Sequence, residues 1–139
     1  MWDMEHFFLF LIMLQECSLS DKPKSPEGPL EAVDTSPDAI TVQWKPPKHD
    51  GGSKIKGYVL EKKPKGATKW QKVPGKIGPN DTTATAKNLE PGEEYEFRVV
   101  AVNDNGESDP LVTTQPIKAK YPFGKKLRYT NFCHFFPFR

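Results

Sequence analysis

The chain has 139 residues, which gives room for one domain of ordinary size with appendages at both ends. Its 20 Lys and Arg against 18 Asp and Glu leave a net charge of +2, and residues 21–124 hold 16 bases and 15 acids. Such a balance supplies no overall field for a polyanion and argues against nucleic acid as a partner. Both cysteines, Cys17 and Cys133, lie near the ends, so the middle contains no disulfide and its core stands on packing alone.

Residues 1–20 form an apolar head. Phe7 to Leu14 is an unbroken apolar run of eight residues, far short of the ~20 that a spanning helix needs. Its length fits the hydrophobic region of a signal peptide, and Ser18-Leu19-Ser20 supplies small residues for cleavage. Asp3 and Glu5, however, stand where a signal carries Lys or Arg. Two readings of the head stay open: a weak signal peptide, or an unrelated start.

The stretch 21–29, Asp-Lys-Pro-Lys-Ser-Pro-Glu-Gly-Pro, is rich in proline and charge and reads as an extended linker leading into a domain over 21–120. Leu30 and Val33 offer the first apolar contacts. Ile40, Val42 and Trp44 alternate with Thr41 and Gln43 as a short strand, stopped by Pro46-Pro47 and the turn-forming Asp50-Gly51-Gly52. Ile55 to Lys63 is the next strand, with Tyr58 and Leu60 facing in and Glu61 and Lys63 facing out. Trp70 and Val73 mark a fourth strand, and the β-branched Thr82 to Ala86 a fifth, running into Leu89.

Pro91-Gly92 then makes a turn. After it Tyr95, Phe97, Val99 and Ala101 share one face at a period of two, and Glu94, Glu96 and Arg98 take the other. Leu89, six residues before Tyr95, fits a tyrosine corner, in which a buried ring sends its hydroxyl back to upstream backbone. A hairpin loop over 103–108 and a last strand over 111–116 complete seven short strands with no helical period. The pattern predicts an all-β, seven-stranded antiparallel Greek-key sandwich, with Trp44, Tyr58, Leu60, Leu89, Tyr95, Phe97 and Val99 as structural core.

Trp44 on the second strand, Tyr58 on the third, and Leu89-x-Pro91-Gly92-x-x-Tyr95-x-Phe97-x-Val99-x-Ala101-x-Asn103 with Gly106 and Ser108 behind resemble a fibronectin type III domain, an immunoglobulin-like fold, over about Pro23 to Lys120. Lys45-Pro46-Pro47, Asp50-Gly51-Gly52-Ser53, Gly57-Tyr58 and Glu61-Lys62-Lys63 followed by Trp70 are similar to the modules of giant sarcomeric proteins of the twitchin and titin class. That resemblance implies a non-enzymatic structural and protein-binding role in the cytoplasm, at the A-band of the sarcomere. Its implied partners are the myosin rod and neighbouring immunoglobulin and fibronectin modules. The alternative is a secreted or cell-surface adhesion module. In that setting the sequon Asn80-Asp81-Thr82 would make Asn80 a glycosylation site.

Charge is separated along the domain. Lys45 to Lys76 contains ten lysines against Asp50 and Glu61, and Asp81 to Asp109 contains eight acids against Lys87 and Arg98. One reading has these groups facing each other across the third and sixth strands, as Lys63 against Glu96. The other makes Lys62, Lys63, Lys69 and Lys72 a docking surface for an acidic partner. The tail, 121–139, places Lys125, Lys126, Arg128 and Arg139 among aromatics without pattern and reads as disordered or foreign. His6, His49 and His134 are the only histidines, and Cys133-His134 are adjacent rather than spaced as a zinc pair. Neither a catalytic constellation, a metal site nor a cofactor is expected.

Overall fold

A computed structural model describes residues 20–122. The apolar head as far as Leu19 and the tail from Phe123 lie outside the described residues, as do both cysteines. Among the described residues nine strands build two antiparallel sheets: β1 (Glu27–Thr35), β2 (Ile40–Lys45), β3 (Gly57–Pro64), β4 (Gln71–Lys72), β5 (Thr83–Ala86), β6 (Glu94–Asn103), β7 (Gly106–Glu107), β8 (Leu111–Val112) and β9 (Ile117–Lys118). One sheet has the order β1-β2-β5; the other runs β4-β3-β6, with β7, β8 and β9 all paired to β6. The described residues contain no helix.

Alternation explains how the layers close. Ile40, Val42 and Trp44 of β2 meet Tyr58 and Leu60 of β3 and Tyr95, Phe97, Val99 and Ala101 of β6 in one core, with Leu30, Ala86, Leu89 and Ala119 around them. Ile40, Val42, Leu60, Phe97 and Val99 are fully buried, each worth about 1.5–3 kcal/mol relative to exposure. The Trp44 and Tyr58 rings meet edge to face, 5.4 Å between centroids, a geometry favoured by the ring quadrupoles. Their polar tips, Trp44 Nε1 and the Tyr58 hydroxyl, are buried without a hydrogen-bond partner among the described residues.

Three expectations change. The prolines of the 21–29 stretch do not keep it free of structure: β1 begins at Glu27, with Pro29 tolerated because β1 is an edge strand. Val33 is half exposed rather than an early core contact, because β1 shifts register on both sides of Glu31-Ala32. The expected last strand over 111–116 keeps only β8, broken before Pro116, which cannot donate to a ladder; pairing resumes in β9, and a further short strand, β7, forms within the expected 103–108 loop.

The tyrosine corner sits where β6 begins. Gly92 takes a positive φ of 83° in the turn before it, and the Glu90 amide donates to the Tyr95 hydroxyl at 2.9 Å. Asn88, with φ 57°, turns the chain out of β5.

Candidate partner-binding surface

The pairing of β3 with β6 sets Glu61 opposite Arg98 and Lys63 opposite Glu96. Lys63 Nζ lies 2.7 Å from the Glu96 carboxylate, and Arg98 pairs with Glu61. Both pairs are part-buried on the outward face, and both cations lie against the Trp70 ring, Lys63 at 5.1 Å and Arg98 at 4.6 Å from its centroid. This is a cross-strand ladder roofed by an aromatic, in which each group has its complement within the domain. Lys65 with Glu94 at 2.7 Å, and Lys56 with Asp104, extend the same neutralisation. The hydrogen bond and charge between Lys65 and Glu94 raise the lysine and lower the carboxyl from their ordinary values. The Lys56 hydrogen bond lowers Asp104 in the same way.

Lys62 has the opposite parity. It shares the inward register of Tyr58 and Leu60, facing Phe97 across the ladder, and its stem runs out over the end of the core. Its Nζ lies 5.8 Å from the Tyr95 ring centroid and donates to the Lys87 and Asn88 carbonyls at 3.2 and 3.5 Å. Lys62 thus bridges the two sheets at the tyrosine corner, and burial lowers its amine below the usual lysine value.

Of the four candidate lysines, two are therefore occupied. Lys69, just ahead of β4, and Lys72, on β4, are exposed at this edge of the sheet, and neither has an ion pair or side-chain hydrogen bond among the described residues. The seven candidate core residues are all buried. Asn80 is exposed in a turn closed by the Asp81 amide on the Gly78 carbonyl at 3.2 Å and by the Gly78 amide on the Asp81 carboxylate at 2.8 Å. Among the described residues no group of three His, Cys, Asp or Glu could hold a metal ion, and no helix is long and apolar enough to cross a membrane.

The family model for the fibronectin type III domain matches residues 23–115. The chain belongs to the fibronectin type III family. Fast-type myosin-binding protein C of Mus musculus is 38% identical over 96 residues, covering 69% of this chain and 8% of the relative. A crystal structure of a titin fragment matches with a TM-score of 0.66 at 36% identity, covering 73% of this chain and 33% of that one. The twitchin kinase region of Caenorhabditis elegans matches with a TM-score of 0.64 at 32% identity, covering 71% and 17%. The chain thus corresponds to one fibronectin module within far longer relatives.

Within this module, sequence reasoning missed two groups of side chains. Trp70 and Arg98 carried no functional weight as isolated residues, yet the Arg98 guanidinium lies over the Trp70 ring within one cluster. Asn103 was a motif and hairpin-loop residue and Asn105 only a loop residue, whereas their amides tie their own turn to the leading segment and the β2–β3 loop. Nothing in local spacing could have signalled those partners.

Proposed function

We propose that this chain is a non-enzymatic structural and protein-binding module of a titin- or twitchin-like sarcomeric protein, associating with the thick filament in the cytoplasm through the myosin rod. The similarity to modules of myosin-binding protein C, titin and twitchin supports the setting. The observation that carries the binding mode is the contrast among the lysines. Lys62 and Lys63 are spent on carbonyls and on Glu96 inside the domain, while Lys69, just ahead of β4, and Lys72, on β4, stand exposed and without a partner among the described residues. An acidic partner gains most from cations that need not break an existing pair. The bland role of such lysines is to keep an edge strand from pairing with other chains, and binding data separate the two roles.

The test measures binding of the full chain to immobilised myosin rod while salt shortens the screening length below about 10 Å. Reversing Lys69 and Lys72 to Glu weakens binding several-fold and flattens its salt dependence; reversing Lys54, in the loop ahead of β3, does not. Equal binding by the Lys69/Lys72 double variant and wild type refutes this surface. Absence of binding by the wild-type chain refutes the myosin reading itself.

A further inference from the structure

Asn103 ends β6 and is only 4% exposed. Its Nδ2 donates to the carbonyls of Asp21 at 2.9 Å, Asp50 at 2.7 Å and Ser53 at 3.4 Å. Its Oδ1 accepts from the amides of Asn105 at 2.8 Å and Gly106 at 3.1 Å. One side chain thereby joins the 103–106 turn, the β2–β3 loop and the segment that leads into the domain. Asn105 adds to the last of these: its Nδ2 donates to the Asp21 carbonyl at 3.1 Å and to the Ser20 hydroxyl.

The leading segment answers with its own backbone. The Asp21 amide donates to the Gly51 carbonyl at 2.7 Å and the Lys24 amide to the His49 carbonyl at 3.0 Å. Pro23 and Pro26 are buried, and Lys22 reaches Asp109 at 3.6 Å. Gly51 has φ 75°, and a Cβ there would stand 2.2 Å from the Asp21 carbonyl oxygen. The loop lacks a side chain where the incoming chain lies on it. A proline-rich linker with free backbone would have none of these contacts.

We infer that Asn103 and Asn105 form a latch that holds residues 20–24 against the 103–106 turn and the β2–β3 loop, fixing the direction in which the chain enters the domain. A module joined ahead of Ser20 is then oriented by this end of the sandwich instead of swinging on a flexible tether, the ordinary expectation between domains. The simpler role for Asn103 is closure of its own turn through Oδ1. The two roles use different atoms, so Asn103→Asp separates them. A carboxylate keeps the acceptor for Asn105 and Gly106 but replaces the donor with an oxygen facing three carbonyls.

The experiment follows amide hydrogen exchange residue by residue in the full chain. In the wild type, the Asp21 and Lys24 amides exchange at least about tenfold more slowly than in a free chain. Asn103→Asp returns them toward free-chain rates, while the Trp44 amide, bonded to the Thr82 carbonyl at 2.9 Å, keeps its protection. If Asn103→Asp unfolds, loss of Trp44 protection reveals it. The decision then passes to Asn105→Asp, at an exposed position, which speeds Asp21 and Lys24 severalfold with Trp44 unchanged. Free-chain exchange at Asp21 and Lys24 in the wild type overturns the latch. So does a folded variant that alters both by less than about twofold.

Discussion

Tyr58 and Tyr95 offer the same substitution with opposite consequences. Both residues are 5% exposed and belong to one core. The Tyr95 hydroxyl accepts the Glu90 amide at 2.9 Å, so Tyr95→Phe removes that bond and strands an N–H in a part-buried corner. The cost is about 1–2 kcal/mol, the range for a lost bond plus an unsatisfied donor. The Tyr58 hydroxyl is buried without a partner among the described residues, and burial raises its pKa above the usual tyrosine value. Tyr58→Phe removes an unpaired polar atom at nearly constant volume and is neutral or stabilising by up to about 1 kcal/mol. Urea denaturation of both variants, followed by far-UV circular dichroism, gives the comparison directly. For a domain of this size each kcal/mol corresponds to roughly 4–8 °C in melting temperature, so thermal melts resolve it too. Equal destabilisation by the two variants, or a loss at Tyr58 larger than at Tyr95, would refute this account of the corner.

Three further outcomes follow from the same geometry. Because burial lowers the Lys62 pKa in the folded state, its contribution is present above the unfolded-state pKa and lost as pH falls through the folded value. Urea midpoints of wild type therefore gain on those of Lys62→Met as pH rises through the alkaline range, and parallel curves would show that Lys62 is not desolvated. Glu94 carries the reverse case at acid pH: its pKa is lowered by Lys65, so its stabilisation is present at neutral pH and lost as pH falls through the folded value, and Glu94→Gln removes that part of the acid limb of the stability curve. At Gly57 a Cβ would stand 2.4 Å from the Ile77 carbonyl oxygen, which accepts the Tyr58 amide. Gly57→Ala forces that strand and loop apart at a cost of about 1–3 kcal/mol, and an unchanged urea midpoint would contradict the close approach.

The alternation from Tyr95 to Ala101 and the turn at Pro91-Gly92 made β6 and its corner readable, because strand parity and turn chemistry are local properties. The pairing of Lys63 with Glu96 was readable for the same reason once β3 and β6 were set side by side. Lys62 shows where charge misleads: its parity with Tyr58 and Leu60 places it on the inward face, yet a lysine among lysines reads as surface. Val33 and the broken last strand depended on bulges and proline interruptions whose effect on register is set by the partner strand. The amide of Asn103 was beyond reach, since its partner Asp21 lies 82 residues away and a hairpin asparagine is satisfied by its own turn in any local view. The candidate binding surface divides the same way. Which lysines exist is a matter of sequence; which remain unpaired depends on the fold.

The proposal is that this fibronectin type III module works inside the sarcomere. Its most direct test is to express the full chain in striated muscle cells, image its position, and determine the mass of the recovered protein. A sarcomeric module gives A-band stripes and a chain without glycan at Asn80. Recovery from the medium with a glycan on Asn80 would contradict it and make the module an extracellular one.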